Sequence, residues 1–263
     1  QVTNPPIDSL RETRVMTLKT RLGNLGNVLD EDATQCDLLQ LESPVLTTAE
    51  FRAMRAYMGR NAVEVDCTFD PSEGAAGLRR AIERVRREAE EGVRAGAAHV
   101  ILTDEHVGPA RSAIPMILAT GGVHTHLVKQ SLRTFTSLNV RCAEAIDVHY
   151  VAVLIGVGAT TVNPWLAQEC IADRHRRGLF GEMPLRTAIQ RFKKALDKGL
   201  LKVMSKMGIG VLSSYRGGCN FEAIGLSRAL VAEFFPGMQS RISGIGLNGI
   251  TRKVAALHEK AWS

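Results

Sequence analysis

Apolar and polar residues follow two different periods along most of the chain, and each change of period marks a predicted element. The Thr47-Thr48-Ala49-Glu50 segment has the spacing of a capping box and predicts a helix that Gly59 ends. From Val63 to Phe69 apolar and polar residues alternate, which predicts a half-buried strand. Apolar residues at steps of three and four, from Leu78 to Val93, then predict a long surface helix.

Strands and helices continue to alternate towards the carboxyl terminus. The pattern predicts strands at 99–103, 137–142, 160–162 and 210–214, and helices at 114–132, 145–155, 165–177 and 221–235. It also predicts a helical hairpin or broken helix over 185–207, interrupted at Gly199. Such βα units are typical of an α/β fold with a parallel sheet and outer helices. Five predicted strands are too few to close an eight-stranded barrel, so we expect an incomplete or distorted, barrel-like domain.

The first part of the chain does not follow this rhythm. Pro5-Pro6 and the Gly23-Asn24-Leu25-Gly26-Asn27 stretch predict irregular backbone. We therefore expect an irregular connecting arm over residues 1–46 and one α/β domain over 47–263. Because the chain begins with Gln1 and shows no leader, we also expect it to be processed or to belong to a longer multidomain chain.

Composition narrows the class of protein. Of the 263 residues, 45% are hydrophobic and 23% charged, which are the proportions of a globular protein. No apolar run approaches the roughly 18 residues of a spanning helix, so we expect no membrane partner and a cytoplasmic location. The five cysteines are scattered and lack the paired spacing of a zinc or iron–sulphur site. They are interpreted as reduced, buried thiols, and no metal is expected.

Three segments are candidates for chemistry. The Gly244–Gly249 segment matches G-x-G-x-x-G, but only Arg241-Ile242 precedes it and no acidic residue follows at the required distance, which favours a glycine-rich turn before a helix. His124-Thr125-His126 cannot hold one metal ion from a helix, since residues two apart point about 200° apart. Thr103-Asp104-Glu105-His106 follows a buried strand, where barrel enzymes keep catalytic groups, and is the best positional candidate.

The basic surplus is concentrated in one stretch. Residues 171–210 hold ten Lys or Arg and three Asp or Glu, whereas the whole chain has a net charge of +6. Lys193, Lys194 and Lys198 form the candidate interface patch of this stretch. Nucleic-acid binding, a solvated helix face and a contact with an acidic neighbour are all open interpretations. Phe192 is the one aromatic residue among the lysines from Lys193 to Lys206 and their helical neighbours in 185–207, which argues against base stacking and makes nucleic acid the weaker partner.

Several longer motifs together resemble one known family. They are Asn4-Pro5-Pro6-Ile7-Asp8-Ser9-Leu10-Arg11-Glu12, Leu22-Gly23-Asn24-Leu25-Gly26-Asn27, Leu41-Glu42-Ser43-Pro44-Val45-Leu46, Val203-Met204-Ser205-Lys206-Met207-Gly208-Ile209, Ser213-Ser214-Tyr215-Arg216-Gly217-Gly218, Asn220-Phe221-Glu222-Ala223-Ile224-Gly225-Leu226 and Ser240-Arg241-Ile242-Ser243-Gly244-Ile245-Gly246. The sequence resembles the central domain of the large (alpha) subunit of bacterial glutamate synthase, and the likeness covers nearly the whole chain. Cys219 departs from the Ala or Gly usual in that family, and the role of its loop stays open.

The resemblance implies a linking role without a catalytic centre. In that family the central domain is related to the FMN-binding synthase barrel and joins it to the glutamine amidotransferase domain. The parent reaction turns glutamine, 2-oxoglutarate and reductant into two glutamates. The resemblance implies that FMN, an iron–sulphur cluster and NAD(P)H or ferredoxin act through other domains or subunits, and it makes the small subunit a candidate partner. Thr3 and Asn4 are then candidates for the wall of an ammonia tunnel.

Two alternatives of a different class stay open beside this interpretation. The chain is compatible with a free-standing flavin-binding α/β barrel oxidoreductase and with a basic nucleic-acid-binding protein. A flavin spectrum would favour the first. Retention on DNA that is lost steeply with salt would favour the second.

Overall fold

The structure is a computed structural model that describes residues 5–218 and 220–263, apart from the side chain of Thr34. Its first part holds a short helix and an antiparallel pair of short strands. These elements are α1 (Glu12–Val15), β1 (Thr20–Leu22) and β2 (Leu39–Leu41). The predicted boundary between arm and domain at residue 46 stays a prediction.

Regular βα alternation begins after this arm. The elements are α2 (Thr48–Met58), β3 (Ala62–Asp66), β4 (Thr68–Phe69), α3 (Gly74–Arg94), β5 (His99–Thr103), β6 (Ser112–Ala113), α4 (Met116–Lys129), β7 (Ser137–Arg141), α5 (Val148–Gly156), β8 (Thr161–Asn163) and α6 (Trp165–Arg176). Helix α2 begins with the predicted capping box, in which the Thr47 hydroxyl accepts from the Glu50 N–H and the Glu50 carboxylate accepts from the Thr47 N–H. The predicted elements of this region are confirmed, with small shifts at their ends.

The remaining elements are helical except for one pair of strands. They are α7 (Leu185–Lys206), α8 (Leu212–Tyr215), β9 (Glu222–Leu226), α9 (Arg228–Phe234), β10 (Gln239–Ile245) and α10 (Leu247–Trp262). Strands β9 and β10 pair in parallel and form a small separate sheet. Within the described ranges, no helix combines the length and apolarity needed to cross a bilayer.

The main sheet is open and parallel. Its four strands lie in the order β3-β5-β7-β8, which follows the order of the sequence. Sequential parallel neighbours joined by helices are the winding of a (β/α) barrel rather than that of a doubly wound sheet, whose strand order reverses. The structure confirms the α/β class with a barrel-like, incomplete arrangement of strands.

Both faces of this sheet are buried. On one face, Val100 and Leu102 of β5 belong to the large core cluster that includes the apolar side of α3. On the other face, Ile101 packs in a second cluster with α2 and the arm, whose buried members are Leu22, Leu46, Phe51, Met54 and Met58. All five residues of β5 are buried, as expected for a parallel strand covered on both sides. Helix α2 thus covers the face that a closed barrel would turn inwards.

A row of polar side chains crosses this second face. His99 Nδ1 lies 2.7 Å from Ser137 Oγ. Asn139 donates to Ser137 Oγ at 3.0 Å and accepts from Thr161 Oγ1 at 2.7 Å. Because buried polar groups are costly without partners, this chain of hydrogen bonds favours one register of β5, β7 and β8.

The arm closes the free edge of β8. Val45 pairs in parallel with Val162, the Leu46 N–H donates to the Val162 carbonyl at 2.9 Å, and the Val162 N–H donates to the Pro44 carbonyl at 2.8 Å. An uncovered strand edge would leave backbone groups unpaired. The arm therefore takes the place that a fifth strand would have next to β8.

The predicted interruption of the helix at Gly199 is wrong. The helix runs unbroken from Leu185 to Lys206. A Cβ added at Gly199 would lie 2.3 Å and 2.6 Å from the two methyl groups of Val148 in α5. The glycine therefore permits the close approach of α7 to α5, and it does not end a helix.

Two further predictions near the carboxyl terminus are wrong. Residues 210–214 do not form a sheet strand: Val211 makes a single bridge to Thr17, and α8 begins at the next residue. The predicted helix over 221–235 is a strand, β9, followed by the shorter helix α9. Gly225 has a φ of +77° and Ser227 caps α9 by accepting from the Leu230 N–H. These two residues separate the strand from the helix.

The contact at Gly199 gives a stability prediction. In an ordinary helix interior Gly→Ala is favourable by about 1 kcal/mol. Because the added methyl group meets Val148, we expect Gly199→Ala to lower the free energy of unfolding by about 1–3 kcal/mol, measured by urea denaturation. In a Val148→Ala background the same change should cost much less. Equal effects in the two backgrounds would contradict the proposed contact.

Candidate functional site

The carboxyl ends of the parallel strands bring several ionisable side chains to one edge. Strand β3 ends at Asp66, β7 ends at Arg141, and Asp104 and Glu105 follow β5 directly. In barrel-type and open α/β folds this edge is the usual place of the active site. The positional candidate 103–106 from the sequence therefore lies where the fold places functional groups.

Asp104 is the buried centre of this edge. Its side chain is fully enclosed. One carboxylate oxygen accepts from Trp165 Nε1 at 2.7 Å, and the other accepts from the Ala143 N–H at 2.8 Å. Burial outweighs these hydrogen bonds and raises the pKa of Asp104 to about 6. Both oxygens thus hold together the segments that follow β5, β7 and β8.

Arg141 lies beside Asp104 and is enclosed by aromatic rings. Its guanidinium carbon is 5.5 Å from the ring centroid of Phe51 and 5.8 Å from that of Trp165. It forms an ion pair with Glu105, and its side chain is 13% exposed. Such stacking of a guanidinium on rings is a favourable arrangement. Arg141 therefore anchors α2, α6 and the loop after β5 to one another.

The other carboxylates of the edge also have partners within the chain. Arg111 forms an ion pair with Asp66 and donates from Nε to Thr68 Oγ1 at 2.7 Å. Glu144 accepts from the Tyr150 hydroxyl at 2.5 Å and from the Met116 N–H at 2.8 Å. Burial and the Glu144 charge raise the pKa of the Tyr150 hydroxyl. These interactions tie loops together and leave the tyrosine protonated.

Two thiols near this edge are unsuited to nucleophilic chemistry. Cys67 and Cys142 are buried, and burial followed by the Asp104 charge raises the pKa of each thiol. Their side chains stay protonated at neutral pH. Cys36 and Cys170, by contrast, are exposed, which corrects the prediction of buried thiols for these two positions.

The histidines contact different neighbours. His124 Nδ1 accepts from Arg133 Nε at 3.0 Å, whereas His126 Nε2 lies 2.6 Å from Glu90 Oε2. The two side chains of the His124-Thr125-His126 segment are thus held apart, as the helical spacing predicts. Over the described ranges, no group of three or more His, Cys, Asp or Glu side chains could hold a metal ion.

The Gly244–Gly249 segment differs from the sequence expectation in one respect. A strand, β10, does precede it, so the prediction that only Arg241-Ile242 precedes the turn is wrong. A Cβ at Gly244 would lie 2.1 Å from the Gly225 carbonyl oxygen, and one at Gly249 would lie 2.5 Å from Ile245 Cβ. These glycines allow close packing within the chain. The segment forms the predicted glycine-rich turn before a helix, α10.

The candidate interface patch of Lys193, Lys194 and Lys198 is divided between internal and external positions. Lys193 Nζ lies 2.7 Å and 2.8 Å from the two carboxylate oxygens of Glu50, and its side chain is 16% exposed. Lys194 and Lys198 are exposed. Lys193 therefore fixes α7 to α2, and the outward charge of the patch comes from the other two. The candidate tunnel residues Thr3 and Asn4, and also Cys219, lie outside the described residues.

Asp104 gives a prediction for the pH dependence of stability. A folded-state pKa near 6, above the ordinary value of 3.8, means that the native state holds the proton more tightly than the unfolded chain. The protonated carboxyl group of Asp104 therefore makes its full contribution to the stability of the fold below about pH 4, and this contribution is lost as the pH rises through 6. We expect the free energy of unfolding of the wild type to fall over that window by about 3 kcal/mol more than that of Asp104→Asn.

Urea denaturation between pH 4 and 7 measures this difference, with the exposed Asp30→Asn variant as control. Fluorescence of Trp165 offers a second measurement that needs no variant at residue 104. Parallel pH profiles for the wild type and Asp104→Asn would contradict the assignment.

The chain is similar to segments of much longer proteins. A family profile described as "Glutamate synthase central domain" matches residues 1–227. The whole chain is 72% identical over 263 residues to part of the glutamate synthase [NADPH] large chain of Azospirillum brasilense, of which it covers 17%. It is 40% identical over 267 residues to the glutamate synthase [NADH] of Schizosaccharomyces pombe, of which it covers 13%. It is also 37% identical over 275 residues to the chloroplastic ferredoxin-dependent glutamate synthase of Spinacia oleracea, of which it covers 17%.

Among solved structures, the chain is similar to a mandelate oxidase mutant with a monooxide FMN adduct. The TM-score is 0.42 at 10% identity, and the match covers 80% of this chain and 91% of that one. This likeness is too distant to carry an argument about function. The family assignment rests on the family profile and on the similarity of this whole chain to part of the Azospirillum large chain. The chain belongs to the glutamate synthase central domain family.

Proposed function

We propose that this chain is the non-catalytic central domain of a glutamate synthase large chain, linking the amidotransferase domain to the FMN-binding synthase domain. The observation that carries the proposal is the 72% identity over the full chain to 17% of the Azospirillum large chain. The parent reaction transfers the amide nitrogen of glutamine to 2-oxoglutarate and gives two glutamates. The proposed partners of this domain are the flanking domains of the same chain and the small subunit, in the cytoplasm.

The bound carboxylates at this edge of the sheet support a role without chemistry, although Arg141 Nε and Asn163 Oδ1 are buried there without a partner among the described residues. Asp104, Arg141 and Glu144 each contact side chains or backbone of neighbouring segments of this chain. A catalytic acid or base needs at least one atom free for the substrate. The same residues instead hold the segments after the strands in fixed positions, which suits a domain that keeps two active sites at a constant separation.

The cofactors of the parent act through other domains or subunits in this proposal. The relatives are named for NADPH, NADH and ferredoxin as donors. The relative with 72% identity is named for NADPH, so NADPH is the donor proposed for the parent of this chain. FMN and the iron–sulphur cluster are assigned to the synthase domain that the resemblance implies.

The start of the arm is proposed as part of an ammonia tunnel. Pro5 and Pro6 are exposed, and the next residue, Ile7, donates its N–H to the Ser205 carbonyl of α7 at 2.8 Å. Two prolines restrict φ to about −65° and so limit the backbone just after Thr3 and Asn4. A hydroxyl and an amide beside a restricted backbone could contact passing ammonia, and functional residues often lie on such irregular segments.

The tunnel proposal is tested in the full-length parent enzyme. We expect Thr3→Trp or Asn4→Trp to uncouple glutamine hydrolysis from glutamate synthesis, or to block both, because a large ring obstructs the path. The measurement is the ratio of glutamine consumed to glutamate formed. The exposed Leu10→Trp variant, further along the arm, serves as control. An unchanged ratio in both tunnel variants would remove this segment from the path.

The exposed part of the basic patch is proposed as a contact with neighbouring domains or subunits. We expect Lys194→Glu combined with Lys198→Glu to weaken assembly of the parent enzyme, while stability changes by less than about 0.5 kcal/mol. Lys193 is left intact because it pairs with Glu50. Sedimentation velocity at low and high salt measures assembly, and Lys129→Glu combined with Lys253→Glu is the matched control. Identical oligomers for both double variants would overturn the contact.

A further inference from the structure

Two arginines lie at the amino end of the sheet, opposite the edge that holds Asp104. Arg133 begins the short turn that leads into β7, and Arg216 follows α8. Both side chains are half-buried. His124 of α4 lies next to them and accepts from Arg133 Nε at 3.0 Å. Three nitrogen-rich side chains from different elements therefore meet in one place.

The partners of these arginines are neutral. Arg133 donates to the Thr136 carbonyl at 2.7 Å and to the Gly158 carbonyl at 2.8 Å. Arg216 donates from Nη2 to Thr20 Oγ1 at 2.7 Å. In the part of the chain that the structure describes, neither arginine forms an ion pair with a carboxylate. Half-buried positive charge without a counter-charge is unfavourable.

The uncompensated charge affects all three groups. Burial and then the Arg216 charge lower the pKa of Arg133 to about 10. Burial, followed by the charges of Arg133 and Arg216, lowers the pKa of His124 to about 4. The imidazole is therefore neutral at pH 7. Since Nδ1 accepts from Arg133, the tautomer leaves Nε2 as an N–H donor.

A buried donor of Arg216 has no partner among the described residues. Arg216 Nε is buried and makes no hydrogen bond within the described residues. A guanidinium offers five N–H donors in a planar fork that matches two oxygens of a carboxylate or phosphate. Most buried donors in native proteins are satisfied. Unlike Arg86 and Arg141, whose Nε atoms are also unpaired but which form ion pairs, Arg216 has no carboxylate partner among the described residues.

A cavity of suitable size adjoins the cluster. Its volume is about 210 Å³, and its lining includes Arg21, His124, Arg133, Thr136 and Arg216. Positive and hydroxyl groups dominate this set, and none of the described residues that line the cavity is Asp or Glu. The space suits a small anion with several oxygens rather than a nucleotide.

From this geometry we infer that the amino end of the sheet holds a binding site for a small oxyanion between Arg216 and Arg133. The oxyanion is a carboxylate or phosphate group that accepts from the guanidinium of Arg216. It is either a free small anion or an acidic side chain from elsewhere in a longer parent chain, since the chemistry of recognition is the same. Arg133 contributes charge, because its own donors already hold the backbone.

Titration of the 263-residue chain with inorganic phosphate and with malonate, at constant ionic strength kept by chloride, tests the inference. The arginine Nε–Hε signals in NMR spectra report binding at individual side chains. We expect saturable shifts of the Arg216 signal, and a dissociation constant raised at least about tenfold in Arg216→Gln. The exposed Arg191→Gln variant should bind as the wild type does. No saturable shift with either anion, or equal loss in both variants, would overturn the site.

Two further measurements complete the test. Arg216→Lys keeps the charge without the planar fork, so we expect weaker binding than in the wild type even if Arg216→Gln fails to fold. Undiminished binding in Arg216→Lys would contradict the role of the planar guanidinium. The same phosphate titration of the full-length parent distinguishes a free anion from an acidic side chain of the parent as the source of the oxyanion. If phosphate binds the 263-residue chain but not the parent, an acidic side chain of the parent occupies the site.

Discussion

A four-stranded parallel sheet has two apolar faces and two open edges, and the arrangement of this domain follows from the need to cover them. In a closed barrel the strands themselves would cover the inner face and remove the edges. Here α2 and the arm cover the face that includes Ile101, and the segment around Val45 pairs with the edge of β8. Helices α3 to α5 cover the other face. The arm is therefore part of the folded core, although its backbone is mostly irregular.

The two ends of the sheet have opposite electrostatic character. At the carboxyl end, carboxylates such as Asp104 and Glu144 accept several hydrogen bonds each from their own chain. At the amino end, Arg133 and Arg216 have only neutral partners among the described residues. Barrel-type enzymes bind ligands at the carboxyl end. In this domain the carboxylates of that end are bound by groups of their own chain, whereas among the described residues the two arginines of the other end have no carboxylate partner.

Local sequence patterns predict the region from residue 47 to 176 well because each element there combines a clear period with a capping or breaking residue. The prediction fails where tertiary contact decides the outcome. The sequence pattern at Gly199 predicts a break in the helix, but this glycine instead allows α7 to pack closely against Val148. The β9–β10 pair is also missed, since β10 is mostly exposed and its pattern resembles that of a loop.

The candidate sites show the same limit. Asp104 is found from its position after a buried strand, because strand order alone brings it to the edge. Lys193 looks like any other lysine of the basic stretch, and its pairing with Glu50 depends on two helices that are 143 residues apart in sequence. Arg133 and Arg216 lie in separate turns, and no motif joins them. Only the fold places their charges beside His124.

The pairing of the arm with β8 also affects the order in which parts of this domain can fold during translation. Thr20 contacts the Thr160 carbonyl across 140 residues of sequence, and Leu46 accepts from Asn163 across 117. Within this domain the arm is translated before β8, and its partners follow only after about 6 to 28 s of translation at about 5–20 residues per second. During that interval the apolar residues of the arm have no β8 edge to pair with. Completion of the core is thereby delayed until the fourth strand has been synthesised, and the amino-terminal segment is among the last to reach its final contacts.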